Sequence, residues 1–291
     1  LHTAYRRQRQ MCIRDSSCIL MNSLPNYFNT IIVVITYNPD WGFRDRIKRY
    51  IEIADKTIIV DNGSVQDVSQ YIPEGLNKHF IIVKSPQNRG IAWGLNQGVL
   101  YAKNHGFLYL LTFDQDSLPI REILNCYADV LRHVSDVGLI GTSFTEKKAI
   151  MPSHVTYRSQ KTLITSGTLH PVTIFDEVGL YDEQLFIDSV DFDFVLRVKK
   201  KFHVLRVNEP LIYHELGLPV TKYGISSSNH NAIRRYYMAR NHVLICRRYW
   251  KDYPMWVLKK TFMFCGSVIK LMVVEAVSYT HLRAHETGAY L

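Results

Sequence analysis

The chain has 291 residues, of which 47% are hydrophobic and 21% charged, and carries a formal net charge of +9. That length suits one large or two small domains, and that apolar share excludes a chain too polar to bury a core. The positive sign fits nucleotide phosphates, nucleic acid or an anionic membrane surface equally well, so charge does not choose among them.

Residues 1–16 have no apolar period and no apolar run, so they read as neither strand, helix nor secretory signal. Together with the tail at 277–291 they resemble translated sequencing-adaptor sequence, and both ends are set aside from fold reasoning. The head holds +3 of the charge (Arg6, Arg7, Arg9 and Arg14 against Asp15) and the tail none, which leaves +6 on residues 17–276. Five scattered cysteines form no Cys-x-x-Cys pair, which points to reduced thiols, a cytoplasmic location and no zinc site.

In chain order, the run Ile31 to Ile35 reads as a first strand, with a helix after it that puts Phe43, Ile47, Tyr50 and Ile51 on one face. Thr57 to Val60 and Phe80 to Val83 read as the next strands. The third of the helical segments between the strands carries Ile91, Leu95, Val99 and Ala102 on one face, and Phe107 to Phe113 forms a fourth strand. These runs are continuous and β-branched rather than alternating, as strands buried on both faces are. Parallel neighbours need helical crossovers, so about 30–142 reads as a doubly wound α/β unit with a further strand at 137–141. Beyond it, 191–201 has helical spacing, 203–207 and 211–213 read as two short strands, and 229–249 as a long basic helix. Residues 256–276 mix apolar side chains with Lys259, Lys260 and Lys270, which suits an interfacial amphipathic helix, or equally one packed on the domain or against a partner, better than a membrane span.

The informative residues gather where strands end. The first strand leads into Thr36-Tyr37-Asn38-Pro39, the second into Asp61-Asn62-Gly63-Ser64 and the fourth into Asp114-Gln115-Asp116. In a parallel sheet all three lie on the carboxyl edge, where open α/β sheets bind ligands. Two carboxylates one residue apart can share a hard divalent cation, which often bridges a protein to phosphate; the alternative is a solvated turn. Gly90, Gly94 and Gly98 repeat at helical spacing in the third crossover helix, where close packing on the sheet is the preferred reading for Gly94 and Gly98.

These motifs, with Asn88-Arg89-Gly90 and Asn96 between them, occur in an order and spacing that resembles the family 2 glycosyltransferases, and among them the rhamnosyltransferase-like members of polysaccharide assembly. The resemblance covers about residues 30–250. It implies an α/β fold of the GT-A, nucleotide-diphospho-sugar transferase type: a doubly wound, mostly parallel sheet with an α-rich C-terminal extension. The domain would span 17–250 and the amphipathic extension 251–276.

The resemblance also implies roles. Thr36, Tyr37, Asn38 and Asp61 would bind the nucleoside, with Tyr37 offering a ring face and Asp61 accepting a pyrimidine ring N–H. Asn88, Gly90 and Asn96 would face the donor crevice, and Ser166 and Gly167 of Thr165-Ser166-Gly167 would lie near the donor sugar. Asp116, assisted by Asp114 and completed by His214, would hold Mn2+ or Mg2+. The acidic stretch from Gly179 to Asp193 resembles the acceptor motif, with Val190-Asp191 where many members have Glu-Asp. Asp191 is then the general base, and Asp193 and Asp188 are supporting acids. Asp193 is read as more inclined to pair with Arg197 than to act chemically.

The implied reaction is inverting transfer of a deoxyhexose, rhamnose first, from a dTDP- or UDP-linked donor to a glycan or lipid-linked acceptor in cell-surface polysaccharide (O-antigen) synthesis. Its implied place is the cytoplasm, peripherally at the inner face of the plasma membrane. Two alternatives compete. A nicotinamide-dependent oxidoreductase needs Gly-x-Gly-x-x-Gly after the first strand, where this chain has Thr-Tyr-Asn-Pro-Asp-Trp-Gly. A membrane- or nucleic-acid-binding protein could use the five arginines and interleaved aromatics of 229–250, nucleic acid being the weaker case.

Overall fold

The computed structural model describes residues 23–147, 149–214, 220–222, 225–227, 230 and 232–288; side chains are described up to Tyr213, at 230 and over 232–272. The expected head at 1–16 lies outside these residues, as do the side chain of His214 and those of the expected tail. The described chain forms two compact units. The first comprises 23–183 with 191–214, and the second comprises 184–190 with the residues after His214.

The first unit is built on one nine-stranded sheet. Its strands are β1 (Thr30–Thr36), β2 (Lys56–Asp61), β3 (Phe80–Lys84), β4 (Tyr109–Asp114), β5 (Ser117–Pro119), β6 (Val137–Thr145), β7 (Tyr157–Ser159), β8 (Thr168–Pro171) and β9 (His203–His214). The spatial order is β3-β2-β1-β4-β8-β6-β9-β5, with β7 also on β9. The first four strands run parallel, and so do β6 and β9, while β8, β5 and β7 join antiparallel. The run of four successive parallel strands, β3-β2-β1-β4, therefore carries the strand-end motifs.

Helices cover both faces. Side chains alternate along a strand, so Ile32 and Val34 face one way and Ile31, Val33 and Ile35 the other. On the first face Ile32, Val34, Ile59, Leu111 and Phe113 pack with Phe43, Ile47 and Tyr50 of α1 (Phe43–Ile53) and with Ile123, Tyr127 and Val130 of α3 (Ile123–His133). The rings of Tyr50 and Phe113 stack there at 5.2 Å. On the opposite face α2 (Ile91–Asn104) lies so close that a Cβ on Gly98 would sit 2.5 Å from Val33 Cγ1, and one on Gly94 2.9 Å from Ile35 Cγ1. Helix-on-sheet packing is thus the reason for both glycines.

The short helix α4 (Ile174–Val178) and α5 (Val190–Lys199) complete the helices up to β9. One expectation is corrected here: 203–207 and 211–213 are a single strand. Asn208, Glu209 and Pro210 stay in the strand because the register with β6 shifts around Ser143, and the N–H of Leu211 finds Thr142 Oγ1 at 3.0 Å instead of a ladder carbonyl.

The second unit holds the antiparallel pair β10 (Val220–Lys222) and β11 (Ile225–Ser227), then α6 (Ala232–Tyr249) and α7 (Pro254–Gly288). His242 of α6 stacks on Phe264 of α7 at 4.4 Å. Asn241, fully buried, donates from Nδ2 to the carbonyls of Leu185 at 2.7 Å and of Ile187 and Asp188 at 2.8 Å. That amide scaffolds a run in which Phe186, Asp188 and Ser189 all have left-handed backbone, φ 60, 62 and 66°. Such conformations are costly for non-glycine residues and persist where surrounding bonds over-determine them.

Candidate functional site

Backbone register fixes the site before any side chain is considered. Thr36 pairs with Asp61 and Ile35 with Asp114, so the ends of β1, β2 and β4 lie level on one edge. Ser117 of β5 pairs with His214 of β9, which brings position 214 beside the residue following Asp116.

The β1 end carries Tyr37, a residue 49% exposed. Thr36 is buried with no partner for Oγ1 among the described residues. Asn38 has φ 48° and is spent on the loop itself: its N–H donates to Ser64 Oγ at 2.8 Å, and its Oδ1 accepts from Val65 N at 2.9 Å. The Tyr71 hydroxyl holds the Pro39 carbonyl at 2.8 Å.

Asp61 is fully buried at the end of β2. Its Oδ1 accepts from Ser64 N at 3.0 Å, while Oδ2 has no hydrogen-bond partner among the described residues. A buried carboxylate oxygen left without a donor is expensive. Gly63 follows at φ 88°, and a Cβ there would lie 2.6 Å from the Gln87 carbonyl carbon, so only glycine lets this turn close on 87–88.

Asn62 ties the two loops together. Its Nδ2 donates to Asn88 Oδ1 at 3.0 Å and to the Gly90 carbonyl at 3.1 Å, and its Oδ1 accepts from Arg89 N at 2.8 Å. Asn88 Oδ1 also accepts from Gly90 N at 2.9 Å. Asn96 is committed elsewhere. Buried on α2, it pairs with both backbone groups of Tyr181, at 2.9 and 3.0 Å, and donates to Glu183 Oε1 at 2.9 Å. It therefore anchors the acidic acceptor-like stretch rather than lining the crevice beside Asn88.

Around Asp114 and Asp116 the supports are dense. Asp114 N donates to Ser166 Oγ at 3.2 Å, and Ser166 Oγ donates on to Ser117 Oγ at 2.7 Å. Gly167, at φ 72°, donates to the Thr112 carbonyl at 2.7 Å, and a Cβ there would strike Ile212. Ser166 and Gly167 thus brace the end of β4. The Tyr50 hydroxyl donates to the Ser117 carbonyl at 2.8 Å, and burial, with the carboxylates of Asp116 and Asp114 adding to it, pushes that phenol up despite nearby Arg46.

Gln115 is the residue that the motif spacing left without a role. Its Oε1 accepts from Tyr37 N at 2.8 Å and its Nε2 donates to the Tyr37 carbonyl at 3.4 Å. Its own carbonyl accepts from Arg46 Nε at 2.7 Å, and Arg46 pairs with Asp40 at 2.7 Å.

On the acceptor-like side, Asp191 stands in the first turn of α5 and accepts from Phe192 N at 2.8 Å. With Thr165, Thr168, His170, Tyr181 and Phe194 it lines one small cavity. His170 is buried, its Nε2 lies 2.7 Å from the Tyr181 hydroxyl, and burial lowers it to about 4, so it is neutral there. Asp193 is fully buried and paired with Arg197 Nε at 2.9 Å, while Arg197 also caps the carbonyls of Val178 and Leu180. In the second unit, Asp188 pairs with Arg234 at 3.2 Å, and Arg240 donates to the Gln184 carbonyl, so these two arginines of α6 serve internal contacts.

Two carboxylates at one strand end supply hard oxygen donors of the kind Mn2+ and Mg2+ prefer, and backbone register adds position 214 to the same edge. Among the described residues, no group of three or more His, Cys, Asp or Glu side chains is arranged to hold a metal.

The fold is α/β of the GT-A, nucleotide-diphospho-sugar transferase type. Residues 31–162 match the profile of Glycosyl transferase family 2. The chain is 28% identical over 241 residues to the dTDP-rhamnosyl transferase RfbF of Shigella flexneri, an alignment covering 76% of this chain and 80% of that protein. The crystal structure of GalNAc-T7 with UDP, GalNAc and Mn2+ superimposes with a TM-score of 0.59 at 13% identity, covering 80% of this chain and 50% of that one. TarS of S. aureus in complex with UDP-GlcNAc gives a TM-score of 0.52 at 15% identity, covering 75% of this chain and 66% of that one. The chain thus spans half of the first solved structure and about two thirds of the second; at these identities they speak to the fold alone.

Proposed function

We propose that the chain is an inverting family 2 glycosyltransferase that moves a deoxyhexose, rhamnose, from a dTDP- or UDP-linked donor to a hydroxyl of a glycan or lipid-linked glycan in cell-surface polysaccharide synthesis. The observation that carries this reading is Asp61, whose buried Oδ2 has no hydrogen-bond donor among the described residues, one register position from the half-exposed Tyr37 and at the same sheet edge as Asp114. A pyrimidine presents a ring N–H and a flat face, and these two residues offer one acceptor and one face. The relative whose name specifies dTDP-rhamnosyl transfer supports the donor class.

In the mechanism, Tyr37 stacks on the base and Asp61 Oδ2 accepts its ring N–H. Asp191 takes the proton of the acceptor hydroxyl as that oxygen attacks the anomeric carbon. The bond from the anomeric carbon to the diphosphate oxygen breaks on the opposite side, so configuration inverts and the nucleoside diphosphate leaves. Asp114, Asp116 and His214 would hold Mn2+ or Mg2+, whose charge offsets that of the departing diphosphate. Replacing Asp191 by Asn is expected to lower turnover by at least about 100-fold with dTDP affinity unchanged. Full turnover in that variant would remove Asp191 from the reaction.

The second unit supports a peripheral position on an anionic membrane. Met255, Leu258, Phe262, Ile269 and Met272 are exposed along α7 beside the exposed Lys259 and Lys270, and among the described residues no helix is long and apolar enough to cross a membrane. Apolar side chains flanked by lysines match a headgroup boundary carrying negative charge. Phe262→Asp should reduce sedimentation with phosphatidylglycerol vesicles; wild-type protein that ignores such vesicles would exclude this position.

A further inference from the structure

We propose that Gln115, the middle residue of Asp114-Gln115-Asp116, is a positioning residue that fixes the nucleoside-recognition loop to the carboxylates facing the diphosphate. The inference rests on the nucleotide-sugar reading and assigns a coupling device within that site.

The side-chain amide of Gln115 engages both backbone groups of a single residue, Tyr37, 78 positions away in sequence, at 2.8 and 3.4 Å. It does what a neighbouring strand would do at a point where the chain has left the sheet and no ladder partner is available. The clamp is itself clamped. Arg46, with only 14% of its side chain exposed, donates to the Gln115 carbonyl at 2.7 Å and grips Asp40 at 2.7 Å. Residue 115 therefore holds the loop at Tyr37 through its side chain and reaches it again at Asp40 through Arg46.

Between those two points Asn38 is in a left-handed conformation at φ 48°, which needs outside bonds to persist. Ser64 and Val65 hold Asn38 on one side, and the backbone that carries Tyr37 is held by contacts that originate in the acid motif. A residue whose neighbours on both sides are the carboxylates converts the distance between base and diphosphate into a fixed length, a condition for recognising the whole nucleoside diphosphate rather than its parts.

The test compares two probes by calorimetry in Mg2+: dTDP, which spans both halves of the site, and inorganic pyrophosphate, which engages only the carboxylate half. Gln115→Met, close in size but without the amide, is expected to weaken dTDP about 10-fold and pyrophosphate less than about 2-fold, the loss of one or two positioning hydrogen bonds. In a Tyr37→Ala background, Gln115→Met should weaken dTDP no further, because the clamp acts through Tyr37.

Equal losses for both probes, or independent and multiplicative losses in the double variant, would overturn the proposal. Hydrogen exchange at the Tyr37 amide gives a readout that needs no ligand: it should accelerate in Gln115→Met, and an unchanged rate would overturn the clamp itself. Wild-type protein that binds neither dTDP nor UDP would instead overturn the nucleotide reading, an outcome distinct from either failure of the clamp.

Discussion

Asp61→Asn separates nucleotide recognition from folding. Asp61 Oδ1 accepts from Ser64 N at 3.0 Å and Oδ2 meets no donor among the described residues, with the residue fully buried. Asparagine keeps the Ser64 bond through its carbonyl oxygen and replaces the carboxylate oxygen that has no hydrogen-bond donor among the described residues. Folding then loses no hydrogen bond, and stability should stay level or rise by up to about 1 kcal/mol. Nucleotide binding should move the other way. A hydrogen bond to a charged acceptor contributes about 1.5–3 kcal/mol, and the variant sets an N–H donor against the ring N–H of the base. At about 1.4 kcal/mol per factor of ten, dTDP or UDP affinity should fall by roughly 10- to 150-fold. Calorimetric titration gives the affinity, and thermal unfolding of the same samples gives the stability. Unchanged affinity in a folded variant would refute base recognition by Asp61, and a large loss of stability would refute the claim that Oδ2 is unused by the fold.

Two further outcomes follow from the packing. His170 is held near 4 by burial, below its ordinary value of 6.5, so the unfolded chain binds a proton that the native state refuses and stability must fall as pH drops from 6.5 towards 4. By pH 5 the loss should be about 2 kcal/mol, read by denaturant unfolding, and His170→Gln should remove that component while leaving an acceptor for Tyr181; identical pH profiles for the two proteins would contradict this. Asn241→Ala strips donors from the carbonyls of Leu185, Ile187 and Asp188 and should cost about 2–4 kcal/mol, seen first as faster hydrogen exchange across 184–189. Unaltered exchange there would mean that the left-handed run stands without its scaffold.

Much of the fold was legible because strands buried on both faces announce themselves. Ile31 to Ile35, Thr57 to Val60 and Phe80 to Val83 lie inside β1, β2 and β3, while the run from Phe107 starts two residues before β4. β5 and β8 carried no such signal: Ser117-Leu118-Pro119 and Thr168-Leu169-His170-Pro171 are short, include proline, and become strands only because β9 and β4 supply partners. α3 did carry one, since Ile123, Leu124, Tyr127 and Val130 recur at helical spacing and all are buried.

At the site, Tyr37, Asp61, Asp114 and Asp116 could be found because a parallel sheet delivers its strand ends to one edge. Gln115, Arg46, Asn62 and Asn241 could not, because each works by bonding a side chain to backbone 27 or more residues away. No local pattern records that choice. Asn96 shows the converse: its motif position suggested the crevice, yet packing turned its amide to Tyr181.

The central claim is glycosyl transfer, and the direct measurement is release of nucleoside diphosphate from dTDP-rhamnose in Mn2+ with a membrane-derived glycan acceptor, with product configuration read by NMR. The account predicts acceptor-dependent release of dTDP and a rhamnosyl product inverted at its anomeric carbon, both lost in Asp191→Asn. A retained configuration would contradict the single displacement. No transfer from dTDP-rhamnose or any UDP- or dTDP-linked sugar by protein that binds the free nucleotide would contradict the function itself.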